Sequence, residues 1–172
     1  MARSSLEKYP RDERVQALNT EIHGALANAL FEAGDTAEAK KAAQEWLDSN
    51  TAAKAWYYGN VIHDANSLLG QLALREGDQK TAGHYLLMAG QTPGSPQLDS
   101  FGPDFTLAAE LLAAGEKAIV LKYLDLVEKF WVKKQSANSA FQQVSRNNAA
   151  TLQHLREDIQ AGQTPTDPKW KL

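Results

Sequence analysis

The sequence predicts an all-α protein made of stacked antiparallel helical hairpins, about seven helices in all, within one domain over 1–172. Three observations carry that expectation. Apolar residues recur at steps of three and four along most of the chain, and no segment sustains the period-two alternation of a half-buried strand. The apolar runs are also punctuated by a glycine followed by an acid, at Gly34-Asp35, Gly77-Asp78 and Gly115-Glu116. A glycine there supplies the left-handed backbone that ends one helix and turns the chain back into the next.

Each element follows in order. Residues 11–33 set Val15, Leu18, Ile22, Leu26, Ala29 and Leu30 on a helical face, with Pro10 suited to the start and Gly34 to the end. Thr36 is the expected N-cap of the returning helix, with Glu38 in its first turn, giving a first hairpin over 11–50. "AWYYGNVIHDANSLLGQLALRE" aligns Tyr58, Ile62, Ala65, Leu69 and Leu72 and stops at Gly77-Asp78; "QKTAGHYLLMAG" completes a second hairpin over 55–90.

The stretch "GQTPGSPQLDSFGPDF" then holds three glycines and three prolines in sixteen residues. It predicts an ordered crossover loop over 91–103, with Leu98, Phe101 and Phe105 covering the top of the core and Pro103 in the first turn of the next helix. "DFTLAAELLAA" and "KAIVLKYLDLVEKFWVKK" form a third hairpin over 104–134, the latter aligning Ile119, Val120, Tyr123, Leu124, Val127, Phe130 and Trp131. A C-terminal helix over 137–161 carries Phe141, Val144, Leu152, Leu155 and Ile159, and Pro165 and Pro168 prevent it from continuing into the tail 162–172. Trp46, Trp56 and Trp131 read as core or seam residues, and Trp170 as a side chain that docks back onto the body.

The three glycines align further features. A small residue stands at the same distance before each (Ala27, Gly70, Ala108), preceded by leucine (Leu26, Leu69, Leu107), and Ala39, Ala82 or Val120 stands at one distance after. Small residues on facing helices allow close approach, and a hairpin of this kind cannot bury its apolar face alone, so such units stack. On these residues the chain resembles the tetratricopeptide family, most clearly in "LGQLALREGDQKTAGHYLLMA", although Ala73 stands where that family has a large aromatic residue. The resemblance, over about residues 15–134, implies a right-handed superhelix with a concave face that holds ligands. "IHDANSLLGQLALREGD", "AGQTPGSPQLDSFGPDFTLAAELL" and "YLDLVEKFW" together also resemble a bacterial family of unassigned activity, which implies a bacterial cytoplasmic protein and transfers no catalytic residue.

Composition narrows the function. The absence of cysteine removes disulfides, thiolate metal sites and cysteine nucleophiles. A net charge of −3 with scattered basic residues, densest at Lys129, Lys133 and Lys134, argues against nucleic acid. No apolar run suits a signal-peptide core or a membrane span, so a cytoplasmic location without membrane association is expected. No phosphate-binding glycine loop is present, and no cofactor is expected.

Candidate partner-binding residues form a polar row, Asn60, Asp64, Ser67, Gln71 and Arg75, on the first helix of the second hairpin, flanked by His63. Asn28 projects onto the same surface from the first hairpin, and Gln97, Asp99 and Phe101 add a contribution from the crossover. Other groupings carry less. His154 and Asp158 supply two metal ligands at most, His63 and Ser67 lack an orienting group nearby in sequence, His23 and His84 are expected at helix interfaces, and Asp125 and Glu128 on a solvated flank.

The expected function is a non-enzymatic protein–protein interaction module. An immunity or antitoxin-like protein that blocks a toxin enzyme, and a small enzyme using His63, are the alternatives.

Overall fold

The computed structural model describes residues 12–50, 53–132, 139–166 and 170, and Pro10, Lys133, Lys134 and Pro168 lie outside the described residues. All regular structure among the described residues is helical. The order is α1 (Glu13–Glu32), α2 (Thr36–Ser49), α3 (Tyr58–Arg75), α4 (Gln79–Gly90), α5 (Pro96–Phe101), α6 (Thr106–Ala113), α7 (Lys117–Trp131) and α8 (Ser139–Gln160). Helices α1 and α2, α3 and α4, and α6 and α7 pack as sequential pairs, and α8 lies on α7. The first helices of the pairs also touch, α1 against α3 and α3 against α6, so they run side by side.

The reversals follow the glycine–acid signature. Gly34, Gly77 and Gly115 have φ of 80°, 81° and 92°. In each, the amide of the following acid donates back to the helix it leaves: Asp35 to Leu30 O, Asp78 to Ala73 O and Glu116 to Leu111 O. The acid then serves the next helix. Asp35, not Thr36, is the N-cap of α2 and accepts from the Glu38 amide, while Asp78 accepts from the Thr81 amide at 2.9 Å. A carboxylate one methylene from the backbone reaches the third amide of the helix without the chain spending a further residue on the turn. At α7 the N-cap Glu116 makes no such bond, its side chain being one methylene longer.

The crossover differs from the expected loop in containing a helix, α5. Ser95 caps it by accepting from the Leu98 amide, Pro96 occupies its first turn, and Gly102 at φ 77° ends it. Pro103 is buried but precedes α6, which starts at Thr106. Asp104 accepts from the Thr106 amide at 2.7 Å. The segment is tied to α3 through the Thr92 hydroxyl, which donates to Gly59 O at 2.7 Å. A Cβ on Gly59 would lie 2.0 Å from Gly94 O, so only glycine admits that approach.

Two apolar clusters meet where α3 and α4 pair. One gathers α1, α2 and α3 around Trp46, Val61 and Leu69; the other gathers α4, α6, α7 and α8 around Leu86, Phe105 and Tyr123. Leu98 and Phe105 join the second cluster, whereas Phe101 points outward at 74% exposure, because a one-and-a-half-turn helix has only one face to bury. Trp170 is buried and stacks on Phe105 with ring centroids 5.7 Å apart, as its expected docking requires. Leu107 of the third pair lies on Gly70 of the second, close enough that a Cβ on Gly70 would meet its methyl at 2.3 Å. The equivalent Leu26 has no preceding pair among the described residues to cover it, and Leu18, Ile22 and Leu26 are 57%, 43% and 51% exposed. Trp56 and His84 are likewise exposed, not seam residues, and His23 is half-buried. Among the described residues no helix is long and apolar enough to cross a membrane.

Candidate functional site

Helical spacing puts Asn60, Asp64, Ser67, Gln71 and Arg75 on one side of α3, and the neighbours of α3 turn that side into the floor of a groove. Two adjoining depressions of about 270 and 150 Å³ run along it and share Asp64 and Trp46. The larger has Asn28 of α1 on one wall and Asp104, Thr106 and Leu107 on the other. The smaller is bounded by Thr20 and Glu21 of α1, by Trp56, and by Gln97 of α5.

Several row residues have structural partners as well. Asn60 donates to Gln97 Oε1 at 2.7 Å and its carbonyl oxygen accepts from the Ser95 hydroxyl, so this pair clamps α5 to α3. Asn28 and Ser67 donate to backbone oxygens one turn earlier, Gly24 O and His63 O. Arg75 lines neither depression: its guanidinium lies 3.4 Å over the Phe31 ring and donates to Phe31 O, in the last turn of α1, where a cation complements the helix dipole. Asp99 and Phe101 sit on α5 but do not line either depression.

His63 departs from its expected place beside the row. Its side chain is fully buried, with Nδ1 2.7 Å from Asp64 Oδ1 and Nε2 3.2 Å from the Tyr123 hydroxyl. A residue beside the row on α3 points between helices, so His63 is excluded from direct contact with a partner and instead pins Asp64 at the groove floor. The Tyr123 hydroxyl donates to Asp104 O at 3.4 Å, linking Asp64 and the backbone of Asp104 to one buried network. Burial, with Asp104 and Asp64 adding to it, pushes the Tyr123 hydroxyl far above the ordinary phenol range, which keeps it a neutral donor. Nearby, burial raises the Glu110 carboxyl above its usual range, partly offset by a hydrogen bond from Gln71 and the charge of Arg75.

The charged side chains lining the two depressions are Glu21, Asp64 and Asp104, all acidic. Sequence reading missed Glu21, Asp104 and Trp46. Glu21 was within reach, since it stands as far before Gly34 as Asp64 stands before Gly77. Asp104 and Trp46 belong to a connection and a second helix, whose placement over α3 depends on packing. No group of three or more potential metal ligands occurs among the described residues. Compared with family models, curated proteins and solved structures, the chain matches none.

Proposed function

We propose that this chain is a non-enzymatic protein–protein interaction module of tetratricopeptide-like stacking, whose partner lies along the α1–α3–α6 groove with α5 as one edge. The observation that carries the reading is the continuity of the groove: two depressions joined at Asp64 and Trp46, walled by helices from three separate parts of the chain. Rigid helices hold such a surface open, and hydrogen-bonding groups spread along it suit an extended ligand better than a single reacting centre. A proton-transfer role for His63 is disfavoured by its burial and by the engagement of both ring nitrogens.

The test is affinity capture from the native cell with three baits: the natural chain, Asn28→Trp in the groove, and Lys122→Trp on the exposed side of α7. Asn28 and Lys122 are both exposed, so neither replacement disturbs the core. A partner held by the natural chain and Lys122→Trp but lost from Asn28→Trp supports the groove. A partner held equally by all three removes it.

A further inference from the structure

We propose that the open face of α1 is the seam of a homodimer, in which α1 of a second copy of this chain lies antiparallel on it about a two-fold axis. The inference stands apart from the groove, since Leu18, Ile22, Ala25, Leu26 and Ala29 line neither depression. All five are exposed. Leu18, Ile22, Ala25 and Ala29 follow one another at steps of four and three, with Leu26 alongside, so they make one apolar strip. The positions equally far before Gly77 are Val61, Ala65, Leu68, Leu69 and Leu72, each at 3% exposure or less. Helix α1 therefore presents to solvent the same positions that α3 buries in the stack.

Two observations choose the occupant. The first is that copies cannot stack head to tail. In such a stack α1 of one copy would rest on the third pair of another, as Leu107 rests on Gly70. The equivalent small residue of the third pair, Ala108, is already buried in a cluster with Leu152 and Leu155 of α8 and with Trp170. What remains is an isologous contact, each copy offering the same patch.

The second is that the strip complements itself only when reversed. Leu18 and Ile22 stand in its N-terminal half, Ala25 and Ala29 in its C-terminal half. Laid antiparallel, Leu18 meets Ala29 of the partner subunit and Ile22 meets Ala25 of the partner subunit, large against small, which lets two helices interlock at close range. The same reversal brings Arg14, whose side chain is 92% exposed, to Glu32 of the partner subunit. Arg14 and Glu32 stand a whole number of turns apart beside the strip, so this ion pair forms at both ends. Asp12 already takes Nε and Nη2 of Arg14, and a guanidinium has further donors for a second carboxylate. A parallel pairing would instead set Leu18 on leucine, Ala29 on alanine, and like charges together. One helix pair is a small interface, so the dimer is reversible, with a dissociation constant of about 10 μM. Well below that concentration the chain is monomeric, and the strip then contributes little to its stability.

The test is sedimentation equilibrium of the full chain from about 1 to 500 μM, a range that brackets the expected constant. The natural chain should pass from the 18.9 kDa monomer to twice that mass as concentration rises. Ile22→Glu should stay monomeric throughout with an unchanged helical circular dichroism spectrum. Ala25→Glu, at an exposed small residue, replaces it should Ile22→Glu lose its fold. Arg14→Glu and Glu32→Arg should each raise the dissociation constant about tenfold, because two pairs are broken at once, and the two changes together should restore it. Lys122→Glu on the exposed side of α7 should leave it unchanged. A monomer at every concentration overturns the proposal and gives the face to another occupant. A dimer that survives both Ile22→Glu and Ala25→Glu uses a different surface and equally overturns it. A dimer lost in Ile22→Glu whose affinity the double charge reversal fails to restore overturns the antiparallel arrangement. None of these outcomes bears on the groove, which the capture experiment tests separately.

Discussion

Gly59 and Gly83 show how one residue type can carry opposite consequences. Both are helical, and in an open helix replacement by alanine is favourable because it restricts the unfolded chain. A Cβ on Gly83 would rest 3.4 Å from Ile119, an ordinary contact, so Gly83→Ala is expected to leave stability unchanged or raise it by about 0.5 kcal/mol. On Gly59 the same atom meets a backbone carbonyl that cannot swing aside, and Gly59→Ala should cost about 3 kcal/mol. Urea denaturation of the two variants checks the contrast. Tyr123 offers a second residue-scale test. Its folded pKa is raised, so its contribution is fully present below the ordinary phenol pKa of about 10 and is lost as pH rises beyond it, where the unfolded phenol ionises first. Tyr123→Phe should therefore lower stability by about 2 kcal/mol at neutral pH by orphaning His63 Nε2. It should also flatten the decline between about pH 10 and 12 seen in the natural chain by circular dichroism.

Among the described elements, α7 starts poorly and α1 leaves one apolar face uncovered. Asp35 and Asp78 cap their helices through side-chain oxygens, and Asp78 is held below the usual carboxylate range by the Thr81 amide and hydroxyl. Glu116 occupies the equivalent place without that bond. Glu116→Asp is thus expected to stabilise the chain by about 0.5–1 kcal/mol in thermal denaturation. The exposed faces of Leu18, Ile22 and Leu26 bury little, so each replaced singly by glutamine should cost less than about 1 kcal/mol. Leu69→Ala, at the fully packed equivalent of Leu26, should cost about 3 kcal/mol. Comparable losses at Leu26 and Leu69 in the same denaturation series would mean that something covers α1.

Across the whole molecule, the chain's two apolar clusters are joined through α3 and α4 and closed at one end by residues far apart in sequence. Phe105 is the pivot: fully buried, it touches Tyr123, Trp131 and Trp170 in edge-on and stacked arrangements. Trp170 ties the end of the chain to this cluster by ring stacking, and Trp170→Ala should cost about 3 kcal/mol while leaving the helical circular dichroism spectrum intact. Because the Phe105 cluster also holds Asp104 beside the groove through Tyr123, the core and the candidate site are one mechanical unit.

The amino-acid sequence by itself determined the helical class, the three glycine reversals and the alignment of Asn60 through Arg75, because each depends on local backbone geometry and a period of 3.6. Leu26, Leu69 and Leu107 look alike in that local grammar. Only tertiary structure decided that two are buried and one is open, since burial depends on whether a neighbouring pair lies above. The same applies to His63, one step round the helix from half-exposed Asp64 yet sealed under Tyr123. It applies also to Trp46, which lines both depressions only because α2 packs against its neighbours. Local chemistry chooses the helices; the packing of distant helices chooses which side chains meet water, and therefore which can meet a partner.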